Sequence, residues 1–125
     1  MADTTVVSTA NTATDNREGL WGPYWSDKDK GVIVYTNDTD GLSFTRTINA
    51  GVSWAATLIH DTDIAITSVA AWYDKATPGD TGTLVHIVYI TADSVAGDKV
   101  FYRTVDVSDG TLGTERTIDG TITAG

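Results

Sequence analysis

The sequence has no cysteine, two histidines, two prolines and only eight lysines and arginines in 125 residues. Without cysteine there is no disulfide framework, no thiolate nucleophile and no cysteine-held zinc, and His60 and His86 are too few for a histidine-rich metal centre. Seventeen acidic residues against those eight cations leave a formal charge of −9, which repels nucleic-acid phosphates and anionic lipid surfaces. Neither nucleic acid nor membrane is expected as a partner. Long hydrophobic runs are missing too. No run approaches membrane-spanning length, and Met1–Thr5 lacks the basic flank and apolar core of a secretion signal, so a soluble chain is expected. What is present, 41% hydrophobic and 20% charged residues, is the composition of a chain that folds. Its length suits one domain or a small cluster of repeats.

Helical periodicity is also scarce: no long stretch repeats apolar residues at i, i+3 and i+4, while Thr, Val, Ile and aromatics dominate between Gly, Asp and Asn clusters. The pattern predicts an all-β chain with eight strands, at Gly19–Trp25, Gly31–Thr36, Leu42–Thr47, Ser53–Ile59, Ile66–Tyr73, Leu84–Thr91, Val100–Val105 and Thr114–Ile118. The two halves repeat. Trp25-Ser26-Asp27-Lys28 matches Trp72-Tyr73-Asp74-Lys75, Ile33-Val34-Tyr35 matches Ile87-Val88-Tyr89, and Phe44-Thr45-Arg46-Thr47 matches Phe101-Tyr102-Arg103-Thr104, in the same order. Four short strands recurring at roughly 40–50 residues are the pattern of β-propeller blades, with a two-sheet sandwich as the rival. Residues 1–18 then form a polar segment with a closing strand at Thr4–Ser8, 19–60 the first blade, 61–118 the second and 119–125 a C-terminal segment.

Between the third and fourth strands lies Thr47-Ile48-Asn49-Ala50-Gly51-Val52-Ser53-Trp54. This run resembles the Asp-box (BNR repeat) of sialidase-like β-propellers, Ser/Thr-x-Asp-x-Gly-x-Ser/Thr-Trp, with Asn49 where Asp is usual. The second unit carries a partial version, Thr104-Val105-Asp106 followed by Ser108-Asp109-Gly110-Thr111-Leu112, which keeps the acid and loses the glycine spacing and the tryptophan. The resemblance spans residues 19–118, and His86-Ile87-Val88-Tyr89 and Tyr102-Arg103-Thr104 echo bacteriophage and microbial propellers. It implies a structural role for the box, with Gly51 at positive φ and Trp54 buried between sheets. It also implies a virion-associated setting as one option.

Sialidase chemistry needs an arginine cluster, a tyrosine nucleophile with an assisting glutamate, and an acid/base aspartate. Arg17, Arg46, Arg103 and Arg116 are the only arginines, and Arg46 and Arg103 occupy matched strand positions, which reads as one brace per blade. Glu18 and Glu115 are the only glutamates and sit outside any constellation visible in the sequence. No spacing among the aspartates selects a glycosidase pair. The expectation is a non-catalytic carbohydrate-binding, lectin-like or structural module, the alternative a fragment or relic of a glycosidase- or sialidase-type propeller enzyme. On the family analogy the loops at Asn37–Gly41, His60–Asp63 and Ala92–Asp98 share the ligand face, so Trp25, Asp38, Asp40, His60, Asp61, Asp63 and Trp72 are the candidate ligand-binding residues. The acidic turns offer oxygens to Ca²⁺, but Asp favours turns in any case and the EF-hand pattern is absent, so no metal and no other cofactor is assigned. Two blades cannot close a ring, so homo-oligomers are expected, a trimer of six blades first and a tetramer of eight second.

Overall fold

The computed structural model describes residues 6, 19–37, 41–60, 65–92 and 97–122; of the closing strand expected at Thr4–Ser8 only Val6 falls among them. The chain is all-β. Eight strands form, β1 (Leu20–Trp25), β2 (Gly31–Thr36), β3 (Leu42–Thr47), β4 (Ala55–His60), β5 (Ala65–Tyr73), β6 (Leu84–Ala92), β7 (Asp98–Asp106) and β8 (Arg116–Ile122). A single 3₁₀ turn at Asp74–Ala76 is the one helical element among the described residues. The strands make two four-stranded antiparallel sheets in sequential order, β1-β2-β3-β4 and β5-β6-β7-β8. No sheet mixes strands of both halves, as a single shared sheet would require.

The apolar layer lies between the sheets. Val32, Val34, Leu42, Phe44 and Ile59 enter it from sheet 1, and Tyr73, Val85, Ile87, Tyr89 and Val105 from sheet 2. Strand β6 shows the period-2 pattern directly: Val85, Ile87, Tyr89 and Thr91 are buried while Leu84, His86, Val88 and Ile90 are half-buried on the outer face. At about 1.5–3 kcal/mol for each fully buried large aliphatic or aromatic side chain, this layer is the main stabilising term. The outer faces differ. All six residues of β2 are buried, so the centre of the outer face of sheet 1 is covered, with Leu20 and Leu58 exposed at its margins. The outer face of sheet 2 is open, with Trp72 56% exposed.

Pairing corrects the internal match. Phe44 pairs with Val34, and Phe101 pairs with Tyr89. Laying Phe44 on Phe101 therefore lays Val34 on Tyr89, one residue away from the Val34–Val88 match read in the sequence. The backbone decides between the two. Thr36 N–H donates to Gly19 O at 3.0 Å, so the inward-pointing members of β2 bond towards β1; Val107 N–H donates to Thr83 O at 2.9 Å, so the inward-pointing members of β6 bond towards β7. The inner faces are thus unlike faces of the two sheets. The hydrogen-bond phase agrees with Val34 on Val88, which lays Phe44 on Tyr102 and Trp25 on Tyr73 rather than on Phe101 and Trp72. Strands apolar on both sides look alike after a one-residue slip, which is why residue types alone misplaced these pairs.

Unlike faces meet because the sheets stack the same way round. β1 lies beside β5, with the rings of Tyr24 and Tyr73 5.5 Å apart and Tyr73 Oη donating to Trp25 O at 2.9 Å. Two arginines bridge the layer from opposite sides. Arg46, at the end of β3, donates from Nη2 to Ser108 O (2.7 Å) and from Nε to Val107 O (3.4 Å), while Arg103 of β7 donates to Ile59 O of sheet 1 and to Gly113 O at 2.8 Å. They do not brace equivalent places in separate blades, as the matched motifs suggested; both span the one seam. Arg46→Met keeps the apolar stem and removes the donors, and is expected to lower unfolding free energy by about 2–3 kcal/mol, on the scale of hydrogen bonds to charged groups. Urea unfolding followed by tryptophan fluorescence measures it, and a change below about 0.5 kcal/mol, the range of ordinary surface substitutions, would remove the bridge from the account.

Candidate functional site

The sequence-selected residues do not converge. Trp25 lies over Gly31 on the outer side of sheet 1, its ring edge-on to Trp54 with centroids 6.2 Å apart. Trp72 stands on the open face of sheet 2, its indole N–H donating to Thr77 Oγ1 at 3.0 Å. His60 points into the seam between the sheets. Asp38, Asp40, Asp61 and Asp63 lie outside the described residues. Among the described residues no group of three or more His, Asp or Glu is placed to hold a metal ion. No helix among them is long and apolar enough to cross a membrane.

Around His60 the fold assembles a polar cluster that spacing did not reveal. The Glu115 carboxylate meets His60 Nδ1 at 2.8 Å and accepts the Tyr89 hydroxyl, and the rings of Tyr89 and Phe101 flank His60 at 5.2 and 5.3 Å. Glu115 is therefore inside a constellation, contrary to the reading of the sequence, which could not relate residues 60, 89 and 115 without the strand pairing. Burial, and then the bond to Glu115, push the Tyr89 phenol far above its ordinary range. Burial also works to raise Glu115, but the Tyr89 and His60 hydrogen bonds and the nearby His60 and Arg103 charges outweigh it and hold the carboxyl below its usual value. Tyr89 has no exposed surface, so its oxygen meets partners within the fold and no substrate.

A second chain of polar groups crosses the open face of sheet 2. Asp74 Oδ1 holds His86 Nε2 at 2.7 Å, and His86 Nδ1 meets Tyr102 Oη at 2.6 Å; the Leu84 amide donates to Asp74 Oδ2 at 3.1 Å and fixes the carboxylate. In the tautomer that donates from Nε2 to Asp74, Nδ1 accepts the Tyr102 hydroxyl. Trp72 is the direct cross-strand neighbour of His86, whose partner on β7 is Thr104; Tyr102 lies on the diagonal, its ring stacked near His86 with centroids 6.0 Å apart.

The third feature is a cleft of about 370 Å³ at the end of the seam, where the Thr47–Trp54 turn faces the turn around Asp109 and Gly110. The first turn is locked by its side chains. Thr47 Oγ1 accepts Gly51 N–H at 2.9 Å and donates to Asn49 Oδ1 at 3.0 Å, and Asn49 Oδ1 accepts Ser53 N–H at 2.9 Å. Gly51 adopts φ 86°, a conformation that favours glycine, and Trp54 Nε1–H donates to its carbonyl at 3.1 Å. Trp54 is half-buried rather than buried as expected, because one side of it lines the cleft. In the opposite turn, burial raises Asp106, but the Ser108 hydroxyl and amide and the Thr83 hydroxyl outweigh it and leave its carboxyl lowered.

Carboxyls held below their unfolded values stabilise the fold above the carboxylate range and lose that contribution as the pH falls through their folded values. Thermal melts are therefore expected to drop on acidification, and Glu115→Gln to melt lower at pH 7 and with a shallower acid limb, with Asp106 and Asp27 among the carboxyls that keep the remaining slope. Equal acid slopes in the two proteins would count against the His60–Glu115–Tyr89 cluster as a pH-linked clasp. No protein-family model, curated protein or solved structure matches the chain.

Proposed function

We propose that the chain is a non-catalytic structural and carbohydrate-binding module, a two-blade segment of a sialidase-like β-propeller that copies of itself complete. The observation that carries this is the stacking of the two sheets the same way round with unlike faces in contact. Such a contact is heterologous and repeats until it closes or runs on as a filament. The outer face of sheet 2 bears the exposed Trp72, which offers a second copy an apolar surface. The Thr47–Trp54 turn, with its hydroxyl, amide and glycine roles filled as in an Asp-box, supports the family resemblance.

The enzymatic alternative has one observation in its favour, the contact of a tyrosine with a glutamate beside Arg103. The burial of Tyr89 favours the structural reading of that contact.

Six blades from three chains is the proposed assembly. Light scattering after size exclusion is expected to give about 40 kDa, three times 13.3 kDa, with Trp72→Glu shifting the protein to single chains of unchanged circular dichroism. A ring must bring sheet 2 of one copy onto the outer face of sheet 1 of the next, whose centre is buried within the chain. A mass near 27 kDa would therefore replace the ring by a two-fold pair of sheet 2 faces, and a wild-type monomer at micromolar concentration would overturn assembly altogether.

A further inference from the structure

We infer that the cleft between the Thr47–Trp54 turn and the turn at Asp109–Gly110 is a binding site for a single neutral sugar ring. The inference rests on the carbohydrate-binding half of the proposed function and places it away from the loops at the other end of the strands, which the family analogy selects. The cleft is at the small end of the range for ligand sites, about 300–1,000 Å³, a size for one ring rather than a chain. Its chemistry is mixed in the way a sugar requires. Trp54 and Ile48 give apolar surface for the C–H face of a pyranose, and Ile48 is 62% exposed, uncovered by anything among the described residues. Asp109 and Ser53 give directional polar groups. One Asp109 oxygen accepts Thr111 N–H at 2.7 Å, leaving the other to accept sugar hydroxyls, and Ser53 Oγ accepts Asn49 Nδ2–H at 2.8 Å, leaving its proton to donate.

The walls are set before any ligand arrives. Trp54 is held by its indole bond to Gly51 O and by the edge of Trp25, so little ordering entropy is lost on binding. Neutrality follows from charge. Arg46 forms the floor with Nε and Nη2 committed to the Val107 and Ser108 carbonyls and Nη1 left to donate; its charge is offset by Asp109 on the same lining, so the cleft carries no net charge, and the chain's −9 disfavours anions.

The test is an NMR titration with glucose, galactose and N-acetylglucosamine, and with sialic acid as the anionic comparison, following the Trp54 indole and Gly110 amide signals. At least one neutral sugar is expected to shift both saturably at millimolar concentration, with sialic acid weaker by about tenfold or more. Ala55 is an exposed strand residue on the cleft lining, so Ala55→Phe fills the site with little risk to the fold; it is expected to weaken binding about tenfold or more, and Asp109→Asn several-fold. Saturable shifts that survive Ala55→Phe, or that fall on Trp72 instead, would overturn the cleft assignment and leave carbohydrate binding standing. No saturable shift with any sugar would overturn both.

Discussion

The apolar layer shared by the two sheets is the constraint on which the rest of the chain depends. Each sheet has four strands and one face rich in Val, Ile, Tyr and Phe, and neither can leave that face in water. The layer forces the sheets together, and its rim then dictates where polar chemistry can sit. Arg46, Arg103, His60, Glu115 and Tyr89 all reach into or across the seam, and each finds its partner on the opposite sheet or in the turns that close it. A buried phenol or guanidinium without such a partner would cost more than its packing contributes, so these bonds fix the relative position of the sheets as well as satisfying the groups.

The same constraint separates the features that sequence reasoning had gathered into one site. A strand alternates, so Tyr24 and Trp25, or Trp72 and Tyr73, must point to opposite faces. Tyr24 and Tyr73 went to the shared layer, where they touch, and this left Trp25 and Trp72 on two different outer surfaces. Their shared Trp-x-Asp-Lys context carried no information about distance between them.

Legibility followed locality. The positions of β1 to β7, the sequential order of the sheets and the glycine conformation at Gly51 depend on near neighbours, and the periods of Val, Ile and Thr and the turn residues between them were enough to place them to within a few residues; β8, expected at Thr114–Ile118, runs Arg116–Ile122 into the segment read as a C-terminal tail. The His60–Glu115 contact joins residues 55 apart, and the Asp74–His86–Tyr102 chain depends on the register of β6 with β7 and on the 3₁₀ turn that carries Asp74. Neither leaves a trace in spacing. The slip at Phe44 shows the limit most clearly: Phe101 and Tyr102 both suit a half-buried strand position, and only the ladder of backbone bonds separates them.

That ladder has a consequence for how such a chain can be enlarged or shortened. The seam within the chain, with its arginine bridges, and any seam between chains are chemically different surfaces, because the inner and outer faces of each sheet carry different residues in different phase. A duplicated first unit would not supply the Tyr89, Arg103 and Glu115 that its neighbour's His60 and Ile59 require. The two sheets joined through this seam are therefore a matched pair, and neither is a copy that can replace the other.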